Sequence, residues 1–281
     1  MVKEMKSNLD CNWNHRGDKF CIGSGSGNVY LGTFFAENNF WVAHPLKKKA
    51  LHKSSVVCVR FDPLSGRVIA SASLDGTVQI TSAYKEELDT DSAGPFGQVT
   101  SYGETLLSVS SNGWINHLAF SPSSSTLCYL THDCELNFAD LSEVAKTSGK
   151  SKVQSEKVLH TGNPHFNCVF IQEDKLIACG YDKVPYLYQK QGAEWKMIKC
   201  LDDGINKVRK AKITGNSFLD KKVYFNSDFK LGTNVEMKET DTKHLNYINY
   251  MRVFARDDKK VLLLTTSDRN GCLNYWDVSS Y

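Results

Sequence analysis

Val56-Val57-Cys58-Val59-Arg60-Phe61, Arg67-Val68-Ile69-Ala70 and Leu74-Asp75-Gly76-Thr77-Val78-Gln79-Ile80 follow one another within a single stretch of the chain. The apolar runs are short, rich in β-branched residues and bounded by Asp, Pro, Ser and Gly, the composition of closely spaced strands. Asp75-Gly76 between two such runs supplies the positive φ that a tight hairpin turn needs. The Asp side chain can also accept from its own backbone two residues on. The stretch therefore reads as an inner strand ending in the aromatic Phe61, a second strand, a tight turn and a third strand.

The pattern occurs four more times. Trp13 leads to Gly25-Ser26-Gly27-Asn28 before Val29-Tyr30-Leu31, and Phe120 leads to His132-Asp133-Cys134-Glu135 before Leu136-Asn137-Phe138. Phe170 leads to Tyr181-Asp182-Lys183 before Tyr186-Leu187-Tyr188, and Phe254 leads to Ser267-Asp268-Arg269-Asn270-Gly271 before Leu273-Asn274-Tyr275-Trp276-Asp277. Counted to Ser26 or to the turn Asp, the aromatic-to-turn spacing is 13, 14, 13, 12 and 14 residues along the chain. A repeat this regular is one supersecondary unit used again, and a single such sheet cannot bury its faces alone, so its neighbours must. The unit fits a four-stranded blade. The fold class expected is all-β, a WD-repeat β-propeller. Turn-to-turn intervals of 49, 58, 49 and 86 residues suit a WD-type repeat of about 40–45 residues with loop insertions. Only the last copy carries a literal Trp-Asp pair, Trp276-Asp277. Asp75, Asp133, Asp182 and Asp268 are expected to be structural turn residues.

Size and composition agree. The 281 residues suffice for one large all-β domain spanning 1–281, and 41% hydrophobic residues can supply its core. A charged fraction of 23% with net charge +3 points neither to nucleic acid nor to membrane. No apolar run approaches the ~18 residues of a membrane helix, and no secretory signal follows Met1. A cytosolic or nuclear setting is expected. The nine cysteines include no Cys-x-x-Cys pair. Cys11, Cys58 and Cys168 precede the repeat aromatics by two or three residues and are expected to act as small buried hydrophobes. Cys128 and Cys134 lack matched histidines, so neither a metal nor a disulfide framework is expected.

Other motifs are weaker. Gly23-Ser24-Gly25-Ser26-Gly27 is followed by a β-type run where a dinucleotide loop needs a helix, and no cofactor is expected. The histidines lie in different repeats. His117 and His132 are expected to make structural hydrogen bonds near the turn Asp. No Ser-His-Asp constellation can be assembled, so no catalytic residue is named and the chain is not expected to be an enzyme. Lys47-Lys48-Lys49 reads as a solvated loop face.

Between the fourth and fifth copies the interval exceeds the 49-residue intervals by 37, which places an insertion at about 202–247. Its first half is basic, with Lys207, Arg209, Lys210, Lys212, Lys221 and Lys222, and its second half turns acidic. A surface insertion of this length is either disordered or functional. Phe218 and Leu219 beside Lys221 and Lys222 have the makeup of a partner anchor, apolar area flanked by steering charge. These four are the candidate partner-binding residues.

Several segments carry a family resemblance. Asn39-Phe40-Trp41-Val42-Ala43-His44-Pro45-Leu46-Lys47-Lys48 leads into Ser55-Val56-Val57-Cys58-Val59-Arg60-Phe61-Asp62-Pro63, and the next repeat ends in Thr81-Ser82-Ala83-Tyr84. Gly94-Pro95-Phe96-Gly97, Gly113-Trp114-Ile115-Asn116-His117, Ala178-Cys179-Gly180-Tyr181-Asp182, Phe218-Leu219-Asp220-Lys221-Lys222 and Tyr275-Trp276-Asp277-Val278 follow in order. Together they resemble the WD-repeat propeller subunits of the actin-related protein 2/3 (Arp2/3) complex, over nearly the whole chain and least from about Val223 to Asp241. The resemblance implies a seven-bladed ring of which this sequence holds about five blades, the first two being without counterpart. It implies a non-catalytic subunit supporting branched actin nucleation. Its partners would be the other complex subunits, actin filaments, which the insertion would contact, and the acidic tails of nucleation-promoting factors. Nucleic acid and membrane insertion are not implied. Its setting would be the cytoplasm and actin cytoskeleton, or the nucleus. The alternative is a generic WD-repeat scaffold, a ubiquitin-ligase receptor or signalling platform, which would share the repeats but not the Ser-Ala-Tyr, Pro-Phe-Gly and Gly-Trp set.

Overall fold

Each repeat folds into its own antiparallel meander. The computed structural model describes residues 6–90, 94–144, 153–202, 208–210, 238–240, 242–257 and 260–281, with 208–210 and 238–240 described for their backbone alone. Blade 1 holds β1 (Asn8–Trp13), β2 (Lys19–Ser24), β3 (Val29–Phe35) and β4 (Phe40–Pro45), and blade 2 holds β5 (Val56–Phe61), β6 (Val68–Ser73), β7 (Thr77–Ser82) and β8 (Thr105–Ser110). Blade 3 holds β9 (Ile115–Phe120), β10 (Thr126–Thr131), β11 (Glu135–Asp140) and β12 (Ser155–Leu159), and blade 4 holds β13 (His165–Gln172), β14 (Lys175–Gly180), β15 (Pro185–Gln191) and β16 (Glu194–Cys200). Between blades 4 and 5, β17 (Val208–Lys210) pairs with β18 (Lys238–Thr240), with Arg209 opposite Glu239. Blade 5 is three-stranded, with β19 (Ile248–Asp257), β20 (Lys260–Asp268) and β21 (Leu273–Asp277). The structure is thus an all-β WD-repeat propeller of five blades, and its one helical element among the described residues is the 3-10 turn Ala36–Asn38.

The core lies between blades rather than within them. Period-two alternation sends successive side chains of a strand to opposite faces, and both faces of a middle blade are covered. On β10, Leu127 and Tyr129 join Val68, Ala70, Ile80 and Phe96 of the blade 2 side. Their neighbours Cys128 and Leu130 point the other way, to Leu176, Ala178 and Tyr188 of blade 4. On β14, Ile177 and Cys179 turn to Met251, Leu264 and Trp276 of blade 5. This is why β6, β10 and β14 read as near-continuous apolar or small-residue runs. The inner strands pack in sequence, β1 beside β5, β5 beside β9, β9 beside β13 and β13 beside β19. Among the described residues no comparable contact joins β19 back to β1.

The outward faces of blades 1 and 5 therefore remain uncovered. Phe61, Phe120 and Phe170 are buried, whereas the equivalent Trp13 is 53% exposed and Phe254 61% exposed. On blade 1, Trp13, Phe20 and Trp41 form a triangle of ring centroids 5.1–5.3 Å apart. Gly32 lies under this cluster, where a Cβ would fall 2.1 Å from the Phe20 ring. The expectation that Cys11 is buried is corrected for the same reason. Cys58 and Cys168 are buried between blades, but Cys11 is exposed because no blade covers its face.

The residue after each turn position takes the left-handed conformation in the first four repeats. Gly27 (φ 85°) and Gly76 (φ 79°) do so without strain. Cys134 (φ 65°) and Lys183 (φ 66°) occupy the same place in repeats three and four, where a side chain makes that conformation costly.

Candidate functional site

The turn aspartates act as acceptors in three blades of four. Asp75 accepts from the N–H groups of Lys53 and Thr77 and from the Thr77 hydroxyl at 2.6–2.9 Å. Asp182 accepts from Asn163 through its N–H at 3.1 Å and its side-chain amide at 2.7 Å. Asp268 accepts from the Asn270 and Cys272 N–H groups at 2.9 Å. Burial pushes all three carboxyls up, but the hydrogen bonds outweigh it and hold them below the ordinary aspartate value. Asp133 differs. It is exposed, makes no hydrogen bond among the described residues, and lies over Gly113, where a Cβ would fall 1.5 Å from its Oδ1.

Each of the three bonded aspartates has a histidine from the loop before the inner strand of its blade. His244 Nδ1 is 3.1 Å from Asp268, its Nε2 is 2.6 Å from the Thr266 hydroxyl, and that hydroxyl accepts from Trp276 Nε1 at 2.7 Å. His160 joins Asp182 at 2.8 Å to Tyr188 at 2.9 Å, and the same tyrosine hydroxyl reaches His165 at 2.8 Å. His52 lies 3.7 Å from Asp75 and bonds Thr77 and Ser71 at 2.8 and 2.7 Å. Sequence reading assigned this role to His117 and His132, and the structure corrects it. His132 packs tilted against Trp114, ring centroids 5.4 Å apart, and its buried Nδ1 has no partner among the described residues, and His117 faces the channel. A usable signal was present: His52, His160 and His244 precede their turn Asp by 23, 22 and 24 residues, and no histidine stands at that distance before Asp133. His244, Asp268 and Cys272 also cluster closely enough for a metal. Both ring nitrogens of His244 and the Asp268 carboxylate are already engaged by protein groups, so the set reads as a bonded turn.

The inner strands surround a channel whose walls are polar as well as apolar. Side chains of one inner strand bond the backbone of the next. Asp10 and Asn12 accept from the Val59 and Phe61 N–H groups at 3.0 Å, Asn116 donates to the His165 carbonyl at 2.9 Å, and Asn167 donates to the Asn249 carbonyl at 3.1 Å. Arg60 donates to Asp10 and lies 2.9 Å from His117 Nε2, whose Nδ1 in turn lies 3.4 Å from the Cys168 N–H. Burial, then the guanidinium charges of Arg60 and Arg252, hold the His117 imidazole far below its ordinary value, so it stays neutral. The channel encloses a cavity of about 670 Å³ bounded by Trp13, Phe120, Phe170, Arg252 and Arg256.

Within the stretch 202–247, Asp202 accepts from the Lys243 N–H at 2.8 Å, and β17 pairs with β18. Phe218, Leu219, Lys221 and Lys222 lie outside the described residues.

Five blades packed through inter-blade cores, with Asp-His-Thr-Trp bonding in the fifth, define a WD-repeat β-propeller protein. The family model for the WD domain, G-beta repeat, matches residues 44–82, the stretch from the end of β4 to the end of β7. Over 95% of its length the chain is 28% identical to actin-related protein 2/3 complex subunit 1A-B of Xenopus laevis, covering 69% of that protein. It is 27% identical to subunit 1A of Arabidopsis thaliana, with 95% and 70% covered. It is 26% identical to subunit 1 of Schizosaccharomyces pombe, with 95% and 72% covered. The chain is similar to these subunit 1 proteins along nearly all of its length, as the resemblance read from its motifs implies. Among the described residues, no helix is long and apolar enough to cross a membrane.

Proposed function

We propose that this chain is a non-catalytic propeller subunit of an Arp2/3 complex, acting in the actin cytoskeleton. The observation that supports this reading is similarity along 95% of the chain to complex subunits from an animal, a plant and a fungus. In this role the propeller is a scaffold. It docks the actin-related subunits, helps seat the complex on a mother filament, and receives acidic tails of nucleation-promoting factors. A propeller suits such work because its rigid blades present loops and rims at fixed positions, while its histidine and aspartate sets are engaged in holding turns together. The insertion at about 202–247 is the filament-facing element, with Phe218 and Leu219 as its apolar anchor and Lys221 and Lys222 steering toward the acidic surface of actin.

Affinity purification of the full chain from its source cell tests membership. Actin-related proteins are expected with it, and recovery of a cullin adaptor in their place would overturn the reading. For the insertion, Phe218→Ala with Leu219→Ala in the assembled complex is expected to reduce filament co-sedimentation and branching with the melting temperature unchanged. Unchanged branching with a lowered melting temperature would assign both residues to the packing of the insertion itself.

A further inference from the structure

Of the four turn carboxylates, that of Asp133 is left unengaged. His160 pairs with Asp182, His244 pairs with Asp268, and the Lys53 and Thr77 N–H groups hold Asp75. Asp133 is exposed and has neither a hydrogen bond nor an ion pair among the described residues. Its place is nevertheless fixed. A Cβ on Gly113 would fall 1.5 Å from Oδ1 and 2.7 Å from Oδ2, so the missing side chain lets the carboxylate lie against the main chain of the loop before β9. Its negative field reaches a neighbour. Burial, then the charges of Asp182 and Asp133, push the Cys134 thiol above its ordinary value.

Beside this carboxylate stands an aromatic surface. Trp114 follows Gly113 directly and is 57% exposed. Its carbonyl accepts from the His132 N–H at 2.8 Å, and its ring packs tilted against the His132 ring. Gly113 thus meets Asp133 and Trp114 meets His132, so the two loops pair residue for residue and set the indole next to the carboxylate. Tyr181, exposed just after β14, meets His132 edge-on at 6.2 Å. The row continues through Phe166 to Tyr247, and there the chain itself shows what such a ring does with a cation. The Arg269 guanidinium lies 5.7 Å from the Tyr247 ring centre and donates to its hydroxyl at 2.6 Å. Among the described residues no lysine or arginine covers Trp114 or Tyr181.

We propose that Trp114 and Asp133 form a recognition site for an arginine side chain presented by a basic segment of a partner protein. The guanidinium lies flat on the exposed indole face, where the ring quadrupole attracts it, and its edge N–H groups fork onto the two oxygens of Asp133. Arginine fits both walls at once because its charge is carried on a plane with a fixed donor geometry, which an ammonium group lacks. The partner is opposite in charge to an acidic tail, so the site adds a ligand class to the proposed function. The inference does not depend on complex membership, because both residues lie within a single chain.

The test is an NMR titration of the isotope-labelled full chain with a short Gly/Ser peptide carrying one arginine. It is followed at the indole N–H of Trp114, which Trp114→Phe assigns. A saturable shift is expected, with a Kd that rises as salt rises. The same peptide with citrulline for arginine keeps the shape without the charge and is expected to bind at least about tenfold more weakly. Asp133→Asn changes an exposed side chain and is expected to raise Kd on the order of tenfold with the melting temperature in place, with Asp133→Glu restoring part of the loss. No shift at Trp114, equal binding of the citrulline peptide, or an Asp133→Asn protein that binds as well as the parent would each overturn the site. None of these results bears on which proteins co-purify with the chain, so the two readings fail separately.

Discussion

At the scale of single residues, the four turn aspartates look alike in sequence but carry different loads. Asp75 holds two backbone N–H groups and a hydroxyl, so its removal leaves three donors without their acceptor. Asp133 accepts none among the described residues and stands exposed. Asp75→Ala is therefore expected to lower stability by about 1–3 kcal/mol, and Asp133→Ala to change it by no more than about 0.5 kcal/mol. Denaturant titration of both variants checks this, and equal losses would show that the Asp133 turn is held by bonds of the same kind. The difference was illegible from spacing alone. Asp133 sits where its repeat motif requires, but the loop facing it brings Gly113 and not a histidine, and only the packed turn shows that no described residue donates to it.

At the scale of elements, the outermost strand of a blade has to be fastened to its neighbour, since it sits farthest from the channel. In blade 4 the fastener is Trp195 on β16. It is buried and stacks on Phe138 of blade 3 with centroids 4.0 Å apart and planes 3° from parallel, and it meets Phe170 edge-on at 5.9 Å. Its backbone N–H is held by Glu156 of β12. Trp195→Ala is expected to cost about 3–5 kcal/mol through the cavity it leaves, read as a drop in denaturant midpoint. Trp195→Phe should recover most of it. A loss below about 1 kcal/mol would mean that β16 is held by its sheet alone. The β16 sequence, Glu-Trp-Lys-Met-Ile-Lys-Cys, does not announce this, because one buried aromatic in an otherwise exposed strand has no periodic signature.

At the scale of the whole molecule, the buried histidines tie stability to pH. Burial lowers His52, His117 and His165 below the ordinary histidine value, His165 to about 3. Unfolding returns each to an ordinary value of about 6.5. Below that pH the unfolded chain binds protons that the fold does not, so stability falls as pH falls, from about 6.5 down through the depressed folded values. Each fully depressed histidine contributes about 1.4 kcal/mol per pH unit across that window. Asp75, Asp182 and Asp268, whose folded values are also depressed, add their loss lower, as pH falls below the ordinary aspartate value of about 3.9. Melting temperatures are expected to drop steadily between about pH 6.5 and 4, and His165→Gln is expected to make that slope shallower. An unchanged slope in the variant would remove His165 from the account.

The five-fold motif, read from the chain, determined the blades. An aromatic, a tight turn some 12–14 residues on and a β-branched run are local features, and strand pairing within a meander follows from neighbours in sequence. The resemblance also rested on local strings and holds along the aligned length. What only the tertiary structure decided is how blades meet. Whether an inner-strand aromatic is buried like Phe61 or exposed like Trp13 depends on whether another blade lies against it. Which histidine finds which aspartate depends on loops folding back over 22–24 residues. The channel brings Asn167 of β13 and Arg252 of β19 to one cavity although 85 residues separate them in the chain. Burial, orphaned acceptors and convergent charge are properties of blades packed side by side, and a pattern confined to one blade contains no record of what its neighbour places opposite.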